Sequence, residues 1–571
     1  MRKKYLSTAE ALAFFEELPS DDDSEATDLS ENEDNCICKN DTVIISDDEV
    51  PEAELEICDD EVSGIGEEGK VIWTKTPFDS NIPVFEEPSG PSADMLSMDE
   101  ISPIKVFLCF FTQSFLELIV FQTNLYATQK GKTFTPTTVN EMLCFFGINL
   151  YMGIKTLPSY RDYWSTSPLL HDSYISKYMS VKRFSWLLAH IHLNDNSLQP
   201  PRGNEKYYKL YKVRPLVNHL SERFLALFKP NKNQSIDESM IKFKGRSSLK
   251  QYMPKKPIKR GYKIWMRCDE SGYACQFDIY TGKTAESIEK GLGERVVTSL
   301  CRTLFRKNHR VYFDNFFTSY ALLSFLKTQN VFACGTVMMN RKNLPKNLLE
   351  DKILKQGEFD WAVSEENVVC MKWKDKRTVS VLSCQENPTA AASVDRREKN
   401  GEKRKVICPQ AIVDYNKNMG FVDYFDHLKS LYQIDRKSKK WWHRILFHFL
   451  DVSVINSFIL CKMLPCDKDD VKSVKVFRMS LIESLLTIGG SSNKRKLSDK
   501  PSQVKRSKPF VPDDRRLTND GHIPKNIPRR RCAFCSTKKN EQRTAWLCMR
   551  CEVPLCLQKT GISCFEKFHT K

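Results

Sequence analysis

Three aspartates, Asp237, Asp314 and Asp423, lie beside short apolar elements of this 571-residue sequence. Asp237 and Asp314 each follow apolar residues, and Asp423 opens a predicted helix that places Asp426 on the same face. Carboxylates from separate elements can hold two divalent ions about 3.5–4 Å apart, which stabilise the attacking and leaving oxygens of a phosphodiester. Because Mg²⁺ prefers oxygen ligands, we predict a site for Mg²⁺ or Mn²⁺. Each aspartate taken singly is equally typical of a strand end or a helix cap.

A second set of metal-binding side chains lies at the C-terminus. Its members are Cys532, Cys535, Cys548, Cys551, Cys556, Cys564 and His569. Two Cys-x2-Cys pairs can each present two thiolates to a tetrahedral Zn²⁺, and a short segment with few apolar residues needs a metal to fold. The spacing therefore predicts a zinc-binding domain over residues 532–571.

The spacing leaves two arrangements of these ligands open. In a cross-brace, one site consists of Cys548, Cys551, Cys564 and His569. The other then has Cys532, Cys535 and Cys556, and lacks a fourth ligand that His522 could supply. A simple ribbon of Cys532, Cys535, Cys548 and Cys551 is the alternative.

The charge is distributed unevenly along the chain. Residues 1–100 hold 6 Lys/Arg and 29 Asp/Glu, a net charge of −23, which leaves +38 for the remainder because the whole chain carries +15. A basic body of this kind favours DNA as a partner, although a basic protein without nucleic acid is the alternative. We expect the acidic tail to be disordered, since its composition cannot bury enough apolar surface.

Nothing in the sequence predicts secretion or a membrane span. The N-terminus lacks an apolar signal region, and no run reaches the roughly 18 apolar residues that a membrane helix needs. We therefore expect an intracellular protein, in which most of the 20 cysteines are buried thiols. The basic clusters Lys494-Arg495-Lys496 and Lys505-Arg506-Ser507-Lys508 suit a nuclear-import signal, and a solvated tether is the alternative.

The pattern of apolar residues predicts the elements that position the aspartates. Residues 101–228 and 422–463 have helical periodicity, and short β-branched or aromatic runs between Ser235 and Asp314 predict strands of a mixed sheet. A helix is expected from about Ala285 to Arg306, strands at Val368–Trp373 and Val379–Ser383, and a charged loop at 396–405.

Three segments resemble the three active-site blocks of the piggyBac-type transposases. They are Ser235-Ile236-Asp237-Glu238-Ser239-Met240, Tyr312-Phe313-Asp314-Asn315-Phe316-Phe317-Thr318-Ser319 and Val413-Asp414-Tyr415-Asn416-Lys417-Asn418-Met419-Gly420-Phe421-Val422-Asp423-Tyr424-Phe425-Asp426. The blocks occur in the family's order, the third is highly specific, and the resemblance extends from about residue 101 to 571.

The resemblance implies an α+β multidomain fold, with an RNase H-like catalytic core, an inserted β-rich domain, a helical dimerisation and DNA-binding domain on either side, and a C-terminal cysteine-rich zinc domain. The expected limits are 1–100 for the acidic disordered tail, 101–228 and 433–490 for the helical domain, 229–337 and 408–432 for the core, 338–407 for the insertion, 491–531 for a basic linker and 532–571 for the zinc domain.

The resemblance also assigns roles to residues. It implies that Asp237, Asp314 and Asp423 are the catalytic triad, with Asp426 as a fourth acidic neighbour. It implies a homodimer that nicks double-stranded DNA at transposon ends, forms hairpins and inserts at TTAA sites, and it favours the cross-brace, next to Arg529-Arg530-Arg531. The predicted DNA-binding residues are Trp441, Arg436, Lys437, Lys439, Lys440, Arg341 and Lys342. Packing within a helix is the alternative for Trp441.

Two positions depart from the family pattern. Phe421 replaces a small residue shortly before Asp423, and Met338 replaces an arginine expected to contact target DNA. These departures favour the alternative that the chain is a domesticated DNA- or chromatin-binding protein without catalysis. A ubiquitin-ligase-like or peptide-binding zinc module fits the C-terminal cysteines but leaves the triad unexplained.

Overall fold

The computed structural model describes residues 71–570 apart from 79–81, 132, 255, 283–290, 398–401, 439, 491–510, 519–520, 538–539 and 559–560. Lys439, the acidic residues 1–70 and both basic clusters of the nuclear-import prediction lie outside the described residues. The chain divides into two compact units, one that ends at Asn493 and one that comprises Lys494–Lys571.

Along the first unit, helical segments alternate with segments that form strands. The helices are α1 Ala93–Leu96, α2 Pro103–Phe110, α3 Gln113–Gln129, α4 Val139–Ile154, α5 Ser173–Ser176, α6 Val181–His190, α7 Arg214–Leu227, α8 Leu292–Cys301, α9 Tyr320–Thr328, α10 Gln410–Asn418, α11 Phe421–Ser430, α12 Trp441–Met463 and α13 Val474–Gly490. The strands are β1 Trp73–Thr74, β2 Gly90–Pro91, β3 Phe228–Lys229, β4 Asn233–Lys242, β5 Gln251–Tyr252, β6 Arg260–Asp269, β7 Ala274–Ile279, β8 Arg310–Phe313, β9 Phe332–Thr336, β10 Phe359–Ser364, β11 Val369–Lys374, β12 Thr378–Ser383, β13 Ala391–Arg397 and β14 Lys403–Pro409.

Ten of these strands form one mixed sheet. Its order is β1-β10-β11-β12-β9-β8-β4-β6-β5, and β7 also pairs with β6. The pairs β4–β8 and β8–β9 are parallel, and the other pairs in the sheet are antiparallel. Side chains alternate across the sheet. Accordingly, Val311 and Phe313 of β8 enter one hydrophobic core and Tyr312 enters the core on the opposite face.

The helices before and after the sheet segments pack together in a third core. Helix α4 lies against α13 so closely that a Cβ on Gly489 would be 2.4 Å from Cβ of Cys144, which requires glycine at this position. A buried ion pair joins Arg478 of α13 to Asp451 of α12, with Nη1 and Oδ1 2.9 Å apart. The two predicted helical segments therefore share one core, whereas the exact domain limits stay predictions.

Helix α12 is long and apolar enough to cross a membrane by length and composition. Nearly all of its residues, from Trp442 to Cys461, are buried inside the first unit. Its apolar character on every side is that expected of the central helix of a large core.

Two expectations for the chain organisation are corrected. The part of the acidic tail from residue 71 onwards takes part in the fold, because β1 pairs with β10 and Nε1 of Trp73 donates a hydrogen bond to the carbonyl of Asn343 at 3.0 Å. The predicted loop at 396–405 instead includes parts of the paired strands β13 and β14. Lys403, Arg404 and Lys405 at the start of β14 are all exposed, so this end of the strand pair remains charged.

The second unit contains a small sheet and two short helices. They are helix α14 Asp513–Arg516, strands β15 Pro524–Arg531, β16 Arg543–Cys548 and β17 Val553–Pro554 in that spatial order, and helix α15 Cys564–His569. A capping box between Ser563 and Glu566 begins α15.

Candidate functional site

The first two predicted catalytic aspartates lie side by side on parallel strands. Ile236 of β4 is the register partner of Phe313 of β8, so Asp237 and Asp314 occupy the next positions on the two strands. Neighbouring strands are about 4.8 Å apart. Strand β8 ends at Phe313, which frees Asp314 to begin the following turn, where its carboxylate accepts a hydrogen bond from the Phe316 backbone N–H at 3.0 Å.

The third aspartate is brought to the same place by helix α11. Asp423 lies in its first turn, and the helix packs on β4 and β6. Asp426, one turn later, accepts hydrogen bonds from Ser239 Oγ of β4 at 2.8 Å and from the buried Lys429 Nζ at 2.5 Å. Asp426 therefore fixes the helix to the strand of Asp237, and part of its charge is neutralised by Lys429.

The charges of Asp314 and Asp423 reach the buried carboxyl group of Asp237. Burial and, to a smaller extent, these two charges together raise the pKa of Asp237 to about 7, against the opposing effect of Lys256. Burial likewise raises the pKa values of Asp314 and Asp423. Lys256 offsets only part of the negative charge of these buried carboxylates, and a bound cation would supply further positive charge.

Lys256 is a site residue that the sequence analysis missed. It follows β5 in a loop, and the charges of Asp237, Glu238, Asp423 and Asp314 raise its pKa although burial lowers it. No sequence motif distinguishes this lysine, because a lysine at a functional site and a lysine in a basic surface loop look the same in the sequence. The hydroxyl of Tyr415, 3.4 Å from Thr336 Oγ1, also lies in the field of the first two aspartates.

The turn after Asp314 is held by Arg341, which was predicted from the sequence to contact DNA. Arg341 Nη2 donates hydrogen bonds to the carbonyls of Asn315 at 2.7 Å and Phe316 at 3.1 Å. This contact positions the turn, and the DNA contact of Arg341 stays a prediction. Lys342 and Met338 are exposed beside it, and Lys342 remains a predicted DNA contact.

Phe421, the departure nearest to Asp423, packs against the helical core. Its ring is partly buried there. The larger side chain is therefore accommodated by the core on which α11 rests.

The side chains of the predicted basic segment before α12 lie in different environments. The predicted DNA contact of Arg436 does not agree with the structure. Its guanidinium is buried against the rings of Phe447, Tyr160 and Phe184, at 4.9, 5.9 and 5.9 Å from their centroids. Burial lowers its pKa to about 10. Arg436 is thus a core cation and not an exposed phosphate contact.

The other members of this segment that the structure describes stay nearer the surface. Lys437 is exposed, and Trp441 is the partly buried first residue of α12. Lys440 Nζ donates a hydrogen bond to the carbonyl of Ala189 and lies 5.9 Å from the ring centroid of Trp442. Their DNA contacts remain predictions.

The second unit brings its cysteines and histidines together as two groups of four. One group is His522, Cys548, Cys551 and His569, and the other is Cys532, Cys535, Cys556 and Cys564. Within each group the ligand atoms lie within 4.8 Å of one another. The groups interleave along the chain as a cross-brace does, whereas the simple ribbon would require Cys532 and Cys548 in one group.

The predicted division of the ligands is corrected at two positions. Cys564 joins the all-cysteine group because it begins α15, whereas His569 at the end of that helix joins the other group. His522 completes that group, with Nδ1 3.4 Å from Cys548 Sγ and 3.5 Å from Cys551 Sγ. The sequence suggested His522 only as a possible replacement for a missing ligand.

The geometry of both groups fits tetrahedral Zn²⁺. Zn–S bonds of about 2.3 Å give sulfur–sulfur separations of about 3.8 Å in a tetrahedron, and shorter Zn–N bonds give slightly smaller sulfur–nitrogen separations. Cys535 Sγ and Cys556 Sγ are 3.8 Å apart, and Cys551 Sγ and His569 Nε2 are 3.3 Å apart. The donor types and spacings thus suit one ion in each group.

Comparisons with known proteins agree with this architecture. Residues 102–458 match the family model described as "Transposase IS4". The chain is 30% identical over 501 residues to the human "PiggyBac transposable element-derived protein 3", which covers 86% of this chain and 79% of that protein. It is 28% identical over 478 residues to the human "PiggyBac transposable element-derived protein 2", which covers 82% and 78%.

A solved structure has the same fold. It is the "Cryo-EM structure of piggyBac transposase synaptic complex with hairpin DNA", with a TM-score of 0.61 and 24% sequence identity over 82% of this chain and 98% of that one. The family match over most of the chain and the similarity to these relatives show that the chain belongs to the piggyBac-type transposase family.

Proposed function

We propose that the protein is a DNA transposase that cleaves and joins DNA strands by a cut-and-paste reaction dependent on a divalent metal ion. The observation that carries this proposal is the convergence of Asp237, Asp314 and Asp423 from two adjacent parallel strands and one helix. The strand order β7-β6-β4-β8-β9, with the first two pairs antiparallel and the last two parallel, supports an RNase H-like core. Strands β10–β12 then extend this core as the inserted β-rich segment.

The donor set fits Mg²⁺ or Mn²⁺, since all three side chains offer carboxylate oxygens. Within the described part of the chain, the side-chain carboxylates of Asp237 and Asp314 accept hydrogen bonds only from nearby backbone N–H groups, so carboxylate oxygens remain for a cation. When bound, two such ions stabilise charge on the attacking and leaving oxygens of the phosphodiester.

The protein's own residues would orient the reaction. Asp426, held by Ser239 and Lys429, fixes the helix that presents Asp423. Arg341 holds the turn that follows Asp314. Lys256 lies in the field of the carboxylates and would contribute positive charge to the DNA phosphate there.

The proposed partners are double-stranded DNA and a second copy of the chain. The solved relative is a transposase complex with hairpin DNA, which supports DNA binding by this chain. We propose action at transposon ends and TTAA targets, nuclear localisation through the basic linker, and zinc in both groups of the second unit, with that unit recognising DNA beside Arg529-Arg530-Arg531.

A cleavage assay tests the proposal. The full chain is incubated with duplexes that carry the inverted repeats flanking its gene, next to TTAA, with Mg²⁺, Mn²⁺ or a chelator. We expect metal-dependent strand cleavage that Asp237→Asn abolishes. The matched control is Asp278→Asn, a half-buried aspartate on β7 of the same sheet, which should cut as the wild type does. Equal cutting by wild type and Asp237→Asn would contradict the proposal.

The second candidate is a DNA- or chromatin-binding protein that retains the fold without catalysis. Met338, exposed where the resemblance implies an arginine, is the observation in its favour. It predicts salt-dependent DNA binding and no strand cleavage with any of the flanking repeats.

A further inference from the structure

A row of aromatic rings connects three elements of the helical region. The rings of Tyr126 on α3 and His192 after α6 are nearly parallel, with centroids 3.6 Å apart and planes inclined by 24°. His192 in turn lies 5.3 Å from the ring of Trp442 on α12. The planes of His192 and Trp442 are inclined by 56° and both residues are buried, so the three rings form a largely buried aromatic floor.

Lysines lie at both ends of this floor. Lys130 Nζ is 5.1 Å from the Tyr126 ring centroid, and Lys440 Nζ is 5.9 Å from that of Trp442. Lys212 contributes a third positive charge that acts on both His192 and Lys440.

The floor and its lysines are held in place by hydrogen bonds. The His192 backbone N–H donates to Thr123 Oγ1 at 3.2 Å, and its Nδ1 is 2.8 Å from the carbonyl of His190. Asn194 Nδ2 donates to the carbonyl of Tyr211 at 2.9 Å, which ties the segment of Lys212 to that of His192. The arrangement therefore exists before any ligand binds.

These positive charges lack nearby compensation. Among the residues that the structure describes, Lys130, Lys212 and Lys440 make no ion pair, whereas Arg183 in the same region pairs with Glu141 at 2.6 Å. Burial, together with the charges of Lys212 and Lys130, lowers the pKa of Lys440 to about 8. Asp195, the carboxylate bonded to Gln129 beside Lys130, already accepts hydrogen bonds from Gln129 and Ser197.

We propose that Lys130, Lys212 and Lys440 bind a backbone phosphate of duplex DNA above the floor of Tyr126, His192 and Trp442. Converging cations without a counterion favour a polyanion, and an ordered set of lysines can fix the position of one phosphate. This site rests on the proposed DNA-binding function but is separate from the three catalytic aspartates. Its contribution is to affinity and placement of the duplex, because phosphate contacts carry no base sequence.

Binding of a fluorescein-labelled DNA duplex, followed by anisotropy over a salt series, tests this site. Each lost phosphate contact lowers the slope of log affinity against log salt by roughly 0.9. We expect Lys130→Gln/Lys440→Gln to lower the slope by about 1, the loss of one phosphate contact, and to weaken binding about tenfold. Lys130→Gln alone should lower the slope by about 0.5 and weaken binding about threefold. Thermal unfolding checks that the double variant is folded, since Lys440 also bonds to Ala189.

Lys177→Gln is the matched control. Lys177 is exposed as Lys130 is, and it lies over two rings of the same region, 4.6 Å from the centroid of Tyr174 and 5.0 Å from that of Tyr178. Its substitution should leave affinity and slope unchanged. An equal loss in Lys177→Gln and Lys130→Gln would overturn the site, because it would reflect net charge alone.

The remaining outcomes separate this site from the proposed function. If the wild type shows no salt-dependent DNA binding, the proposed function itself fails. If the wild type binds but Lys130→Gln binds with the same affinity and slope, only the phosphate site is overturned. Lys130 is exposed, so this single variant decides the matter even if the double variant does not fold.

Discussion

The two metal-binding regions of this chain differ in what holds their ligands in place. Asp237 and Asp314 extend from strands whose neighbouring residues, Ile236 and Phe313, are fully buried in a large core. In the second unit most of the cysteines are themselves members of the small core. The fold therefore positions the carboxylates of the first site, whereas we expect the second unit to need bound metal ions in order to fold.

The charges of the two regions show the same difference. Lys256 and Lys429 offset part of the negative charge of the aspartates within the protein. In the all-cysteine group, neighbouring thiols raise the pKa values of Cys556 and Cys564 beyond the effect of burial. Without a cation these thiols cannot all ionise together, so we expect the group to reach its thiolate form only when a cation such as Zn²⁺ is bound.

The largest expected effect is the response to zinc removal. A chelator should unfold the described part of residues 511–570 and leave the sheet of the first unit intact, because only the small core is made of ligands. Hydrogen exchange followed by mass spectrometry would show loss of protection in β16 and retained protection in β4 and β8. Retained protection of β16 after complete removal of zinc would refute this dependence.

Elemental analysis of single variants sharpens the same comparison. We expect about two zinc ions per chain in the wild type and about one in either His522→Ala or Cys556→Ser. The control is Cys461→Ser, a buried cysteine of α12 that belongs to neither group, which should keep both ions. Two ions in His522→Ala would remove this histidine from the ligands.

A smaller effect is expected when the charge of Asp237 is removed. Its pKa is raised to about 7, above the value of about 3.9 expected in the unfolded chain. Protonated Asp237 therefore stabilises the folded state fully below about pH 4, and this stabilisation is lost as the pH rises through about 7. Without metal, Asp237→Asn should melt at a higher temperature than the wild type at about pH 8, where the wild-type group is ionised.

Magnesium should have the complementary effect. It should raise the melting temperature of the wild type more at about pH 8 than at about pH 5.5, and should have little effect on Asp237→Asn. Differential scanning fluorimetry of the full chain measures both. A wild-type response that is equal at the two pH values would mean that the metal does not compensate Asp237.

The site aspartates could be predicted from the sequence because each of them lies beside a local pattern of residues. The apolar runs before Asp237 and Asp314 mark strands, and the spacing of Asp423 and Asp426 marks one helix face. Lys256 escaped prediction because its role depends on a loop that brings it to residues distant in sequence. Only the three-dimensional structure supplies that proximity.

The basic residues were the hardest to interpret from sequence. Arg436 and Lys437 are adjacent and equally basic, yet the first is buried against aromatic rings and the second is exposed. The division of zinc ligands failed similarly, since α15 directs Cys564 and His569 to different groups. In both cases the sequence gives the type of side chain, whereas packing decides which way it points.

The smallest expected effect concerns the turn that the fold supplies to the aspartate site. Arg341→Ala removes two hydrogen bonds to the carbonyls of Asn315 and Phe316, and should lower the free energy of unfolding by about 1–2 kcal/mol. The adjacent exposed residue provides the control, because Lys342→Ala should change stability by less than about 0.5 kcal/mol. Urea denaturation followed by tryptophan fluorescence measures both. If Arg341→Ala is as stable as Lys342→Ala, the turn is held by the sheet alone, and the contrast between a scaffolded aspartate site and a metal-built cysteine site becomes sharper still.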